Sequence, residues 1–183
     1  MSPVYPPQDR SDPMALVVVG VLSGQESAEQ GAIARLEGRL GQVALSGPRL
    51  PFDWTDYYER EMGPGLMRQY LAFGSLMPEQ DLVDLKYEVS RIEAEFAQDD
   101  HRVVNLDPGY VDLLKVVLAS WKTGMHKIYL SRGVWADPVL IYSDGRFNCQ
   151  DWTFPDLKSE SHHEFFMEAR RLFKDLRRRD GLV

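Results

Sequence analysis

Residues 15–22 form an unbroken apolar run, rich in Val and ended by Ser23-Gly24. That length and β-branched content predict a strand buried on both faces. The period then changes. Ile33, Leu36 and Leu40 fall on one helical face before Gly41, and Ser23 with Glu26, or Ser27 with Gln30, offers a capping box at the helix start. Residues 42–50 return as a strand, and residues 66–73 read as another. Pro78 opens the clearest helix, whose stripe of Leu82, Leu85, Val89, Ile92 and Phe96 keeps the three- and four-residue steps of an amphipathic face. Residues 102–106 resume extended structure.

Strand-helix-strand followed by strand-helix-strand predicts an α+β fold of the ferredoxin-like split βαβ sandwich type, with an irregular α+β sheet as the alternative. Three elaborations follow. Asp107-Pro108 predicts a third helix, because Asp is a favoured N-cap and Pro suits the first helical position; Leu114, Val117, Leu118 and Trp121 would be its buried face. Residues 127–130 and 135–142 predict a hairpin, with Ser143-Asp144-Gly145 turning the chain towards Phe147. A last helix over residues 161–178 has a Ser161/Glu164 box and an apolar face of Phe165, Phe166, Ala169, Leu172, Phe173 and Leu176.

With 183 residues and 44% hydrophobic content, the chain has enough apolar material for one domain over residues 14–183. Residues 1–13 carry four prolines and no signal-peptide pattern, and are expected to be a flexible arm. A net charge of -7 argues against a general nucleic-acid or anionic-membrane binder, since phosphates and anionic lipids repel an acidic surface. The single cysteine, Cys149, excludes an intramolecular disulfide and fits a reducing, cytoplasmic setting. No apolar run reaches the length of a membrane span.

Charge matters most in residues 51–63, where Asp53, Asp56, Glu59 and Glu61 alternate with Phe52, Trp54, Tyr57 and Tyr58. Rings attract apolar contact while carboxylates resist burial unless paired, so this stretch suits a pocket wall or a polar-network core. The plainer reading is that Asp53 or Asp56 caps a short helical turn. Arg102, Asn105, Asp107, Tyr110 and Lys115 gather at the next strand-to-helix junction, a natural anion site to which Arg132 or His126 would add charge. Against that stands an Asp107 that caps its own helix and holds Arg102 in an internal ion pair. The turn over residues 20–27 has Gln25-Glu26 where a Walker loop has Lys, which argues against a P-loop NTPase. The histidines lack metal-helix spacing and clustered cysteines, so no metal site is expected, and no pattern names a cofactor.

The stretches Phe52-Asp53-x-Thr55-Asp56-Tyr57-Tyr58-x-x-Glu61-Met62-Gly63, Asn105-Leu106-Asp107-Pro108-Gly109-Tyr110 and Trp152-Thr153-x-Pro155-Asp156 together resemble a bacterial family known as domain of unknown function 4416. The resemblance spans about residues 14–176 and implies a small cytosolic protein without an established activity. The chain departs from the family pattern at Asp137-Pro138 and at Leu157.

These readings converge on a groove lined by Asp53, Asp56, Tyr57, Tyr58, Glu61, Arg102, Asn105, Asp107, Tyr110, Lys115 and His126, expected to bind a small polar or anionic ligand such as a phosphorylated metabolite or nucleotide. For an enzyme, the carboxylates would serve as base or Mg²⁺ ligands and Arg102 or Lys115 as charge stabiliser. The alternative is a noncatalytic interaction or self-association module that uses the aromatic residues of 52–62.

Overall fold

The computed structural model describes residues 12–182. The first apolar run is β1 (Met14–Ser23), the middle strand of the core. Ala15, Val17, Val19 and Val21 face two helices, α1 (Glu26–Leu40) and α3 (Leu82–Glu95). Leu16 and Val18 face a third, α4 (Glu160–Arg179). Burial on both sides explains why the run carries no alternation.

Around β1 lie β2 (Val43–Ser46), β3 (Leu50–Pro51), β4 (Met67–Pro78), β5 (Val104–Val111), β6 (Lys115–Ser120), β7 (Ile128–Ser131), β8 (Val134–Ser143) and β9 (Arg146–Cys149). They form a nine-stranded sheet ordered β2-β4-β1-β5-β6-β8-β7, with β3 beside β4 and β9 beside β8. Each pairing is antiparallel. The fold is therefore mixed α+β, a sheet between helical layers. A single helical turn, α2 (Glu59–Met62), stands in the aromatic-acidic stretch. No helix among the described residues is long and apolar enough to cross a membrane. Of the expected N-terminal arm, residues 1–11 lie outside the described residues.

The expected third helix is absent. Asp107-Pro108-Gly109 lies inside β5, and residues 115–120 form β6. Leu114 and Trp121, which a helix would have buried, are exposed, while Val117 and Leu118 are buried on opposite faces of a strand. The Asp107 carboxylate accepts from Arg68 rather than from helix amides. Pro108 sits one residue before the β5–β6 ladder begins, where a missing N–H is tolerated.

Smaller differences have similar causes. Gly47-Pro48 divides the strand expected over residues 42–50 into β2 and β3. Ser23 Oγ donates to the Val103 carbonyl and accepts from Gln25 N, so α1 starts after Gln25 without a side-chain cap. Ser159, rather than Ser161, caps α4 by accepting from His162 N.

Two glycines are expected to respond oppositely to Ala. A Cβ on Gly109 would stand 2.2 Å from the Val117 carbonyl oxygen, whereas one on Gly38, on the exposed side of α1, meets nothing within 4 Å. Urea unfolding should show Gly109→Ala destabilised by about 2–3 kcal/mol and Gly38→Ala stabilised by up to about 1 kcal/mol.

Candidate functional site

Strand alternation sends Arg68 and Tyr70 of β4 to the face of the sheet that α4 covers. Across β1, Gly20 stands opposite Tyr70 on one side and Asp107 on the other, and Leu22 stands opposite Arg68 and Asn105. The missing side chain is what makes room. A Cβ on Gly20 would lie 2.7 Å from Tyr70 Cε1 and 3.1 Å from Arg68 Nη1. Arg68 therefore reaches over β1, and its Nη1 donates to Asp107 Oδ2 at 2.8 Å.

From that ion pair a polar network runs in two directions. Asn105 Nδ2 also donates to Asp107 Oδ2, at 2.9 Å, and Arg102 Nη1 donates to Asn105 Oδ1 at 2.8 Å. Arg102 then grips Glu61 of α2 with both edges of its fork, Nε to Oε1 at 2.8 Å and Nη2 to Oε2 at 2.7 Å. In the other direction, Asp156 Oδ2 stands 3.4 Å from Arg68 Nε and accepts from the Tyr70 hydroxyl at 3.1 Å. Phe52 lies under the Arg68 guanidinium, with the ring centroid 5.2 Å away. Phe52, Met62 and Tyr58 pack with Leu22 and Leu66, so the aromatic residues anchor the stretch that carries Glu61.

All three sequence stretches that suggested a family meet in this network, through Glu61, through Asn105 and Asp107, and through Asp156. Residues 13–173 match the family described as Domain of unknown function (DUF4416). The chain belongs to this family. No curated protein and no solved structure matches it.

Ionisable groups in this DUF4416 member are shifted by one another as well as by burial. Burial opposes the Arg68 charge, but Tyr70, Asp107 and Asp156 raise its pKa above the ordinary value. Asp107 is also opposed by burial, and Arg68, Lys86 and the Asn105 amide hold its carboxyl below the usual range. Glu61 is lowered chiefly by its hydrogen bonds from Arg102. Tyr58 is pushed up to about 12 by burial and then by Asp107. On the helical side, Glu93 accepts from Leu106 N at 2.7 Å, and burial raises its pKa.

His162, at the start of α4, is almost wholly buried. Its Nδ1 lies 2.7 Å from the Asp156 carbonyl, which fixes the proton on that nitrogen. Its Nε2 has no partner among the described residues, and Arg68 Nε likewise lacks an aligned acceptor. Burial lowers the His162 pKa.

A second network of the DUF4416 chain stands farther along the same face. Asp137 of β8 lies opposite Leu118, which packs on the α4 side. Its Oδ2 is 2.9 Å from Lys127 Nζ, and its Oδ1 is 3.2 Å from His126 Nε2, off the alignment of a hydrogen bond. Lys127 Nζ donates to Ser120 Oγ at 2.9 Å. The His126 ring is stacked on Trp152 at 4.7 Å, and Trp152 Nε1 donates to the Pro138 carbonyl. A link back to the first network comes from Lys122, whose Nζ donates to the Tyr57 hydroxyl at 2.7 Å and lowers that phenol's pKa.

Of the residues expected in one groove, Glu61, Arg102, Asn105 and Asp107 belong to the first network, Tyr58 packs beside it with Phe52, Tyr57 adjoins it and His126 belongs to the second. Four others stand apart. Asp53 and Asp56 are exposed, and neither side chain caps α2. Tyr110 points to the other side of the sheet, where its hydroxyl donates to Glu79 Oε2 at 2.9 Å. Lys115 joins that pair through Glu79 and also binds Asp112. Among the described residues no three His, Cys, Asp or Glu side chains form a metal-holding set. Cys149 is exposed, with its thiol pKa raised by partial desolvation and its Sγ 3.2 Å from His163 Nε2.

Sequence reading passed over Arg68, Tyr70 and His162. Two signals were present: Arg68 and Tyr70 share the two-residue period of one strand face, and a glycine, Gly20, stands within a buried strand, which marks a close approach.

Removing Arg68 strands the buried Asp156 carboxylate and leaves the partly exposed Asp107 without its cation, so Arg68→Leu should cost about 3 kcal/mol or more in chemical denaturation. Arg102→Ala, at the half-exposed end, should cost about 1 kcal/mol or less. His162 yields a pH prediction. A lowered folded pKa means that the unfolded chain binds more protons, so the stability from neutral His162 is present above about 6.5 and is lost as pH falls below it. Melting curves between pH 7.5 and 5 should therefore fall less steeply for His162→Asn, whose amide can still donate to the Asp156 carbonyl.

Proposed function

We propose that the α4-side face of the sheet, between Tyr57 and Tyr58 at one end and His126 and Trp152 at the other, binds a small polar or anionic ligand in a cytosolic protein. The observation that carries this reading is the state of Asp107. Its carboxylate is held ionised by a buried Arg68, yet 26% of its side chain remains in water, next to the half-exposed Arg102. A buried structural pair has no need of an open side. Clustered shifted groups, preorganised by partners beneath them, are what a binding site requires.

The side chains around Asp107 favour a ligand with a negative group and a hydrogen-bond donor. Lys122, which has no carboxylate partner among the described salt bridges, would supply the positive charge, and Asp107 would accept from the ligand's donor. The rings of Tyr57 and Trp152 supply flat contact. A phosphorylated metabolite or nucleotide meets these demands. We also read β2-β4-β1-β5, with α1 and α3 on one side, as a ferredoxin-like split βαβ core to which β6 to β9 and α4 are additions.

A second reading, an interaction module built on residues 52–62, is favoured by the exposure of Trp54 and Tyr57. In a thermal-shift series with nucleotides, sugar phosphates, amino acids and inorganic phosphate, a binder near a hundred times its Kd adds about 2.7 kcal/mol and raises Tm by several degrees. Lys122→Ala should weaken that shift and Asp107→Asn should abolish it. A flat series with folded protein would overturn the ligand reading in favour of the module, for which Trp54→Ser and Tyr57→Ser should abolish complex formation.

A further inference from the structure

The two edges of the sheet differ in how they meet water. The β2 and β3 edge presents Ala44 and Ser46 outward and is broken by Pro48 and Pro51, with Arg49 tied to Glu29 between them. Proline and small or charged residues protect an edge strand from pairing. At the opposite edge, β8 is covered by β7 along one half and by β9 along the other, and between them Trp152 and Thr153 bond to the carbonyls of Pro138 and Val139. The outer side of β7 has no strand partner among the described residues.

β7 reads Ile-Tyr-Leu-Ser, with neither charge nor proline, and every residue in it is exposed. Relative exposure is 63% for Ile128, 54% for Tyr129 and 39% for Leu130, and the adjoining Met125 and Trp121 reach 103% and 44%. Ile128 and Leu130 share one face of the strand, and Tyr129 packs edge-on against Trp135 on the other. Trp121 packs edge-on against Tyr87 at 4.9 Å, and the Tyr87 hydroxyl donates to the Arg132 carbonyl just beyond β7. The charges flanking the strand are neutralised within the chain, Lys127 by Asp137 and Arg132 by Asp84. Together the five side chains leave on the order of 600 Å² in water, most of the roughly 800 Å² per partner that a standard interface buries.

We propose that β7 pairs antiparallel with β7 of a second copy of this chain, joining the two sheets edge to edge. A two-fold axis perpendicular to the sheet keeps each side chain on its own face. Centred on Tyr129, it places Ile128 of each copy opposite Leu130 of the other, beside Met125 and Trp121, and brings the two Tyr129 residues together at the axis. The β7 side chains are uncharged, so no like-charged side chains oppose each other across the strand pair. The contact differs from the exposed Trp54 and Tyr57 of residues 52–62, while Tyr129, packed beside Trp135, lies on the same side of the sheet as the proposed ligand site.

Light scattering during size-exclusion chromatography should give twice the chain mass for the wild type. The double variant Ile128→Lys/Leu130→Lys, at two exposed positions, should give the chain mass with unchanged circular dichroism, its dissociation constant raised about a hundredfold or more by like charges at the joint. Geometry is tested separately by Tyr129→Cys in a Cys149→Ser background. Opposed residues of an antiparallel pair lie about 4.5–5.5 Å apart at Cα, within disulfide reach, so a mild oxidant should yield a covalent dimer. A single-chain mass for the wild type, a dimer that survives the double Lys variant, or one lost instead on Trp54→Ser/Tyr57→Ser would overturn the proposal. The thermal-shift series reads the ligand site independently of each of these outcomes.

Discussion

A guanidinium withdrawn from water in the middle of a sheet must be met by negative charge and ring faces, or its burial costs more than the fold can offset. Arg68 imposes that constraint here. Its needs are met by Asp107 from β5, Asp156 from the turn before α4, and the rings of Phe52 and Tyr70. Each partner belongs to a different element. The register of β1 with its two neighbours, the path of residues 52–62 and the entry of the chain into α4 are thus tied to one side chain. Gly20 is part of the same solution, since any side chain there would occupy the space through which Arg68 and Tyr70 pass.

The two faces of the sheet divide the work. Under α1 and α3 the packing is largely apolar, built from Val17, Val19, Val21, Leu85 and Val89. On the opposite face α4 covers Leu16, Val18, Ala72 and Val116 with Phe166, Phe173 and their neighbours. The rows holding Gly20, Asn105 and Asp107 lie beyond the start of that helix, and irregular chain covers them. Irregular segments keep polar backbone and side-chain groups near water, whereas a helix satisfies its own backbone and presents an apolar stripe. On the α4 side, the ionised groups of the first network therefore stand where loops take over from α4.

Much of the architecture was legible in residue order. The run over residues 15–22, the helix begun near Pro78, the hairpin after residue 127 and the apolar face of α4 were each set by local composition and periodicity, which reflect burial directly. Residues 107–121 misled because a strand buried on both sides loses its alternation, and Asp-Pro then imitates a helix start. Of the site, Arg102, Glu61, Asn105 and Asp107 could be named as polar groups in need of partners. Their pairing could not, because a contact such as Arg68 to Asp107 spans 39 positions and depends on strand register. By itself the sequence determined an acidic α+β chain, its family and the main helices, all of which follow from neighbours along the chain. Only the tertiary structure decided that Tyr110 and Lys115 face away from Asp107, that Arg68 lies beneath the site and that β7 is a bare edge, because facing and adjacency arise when strands that are distant in sequence are laid side by side.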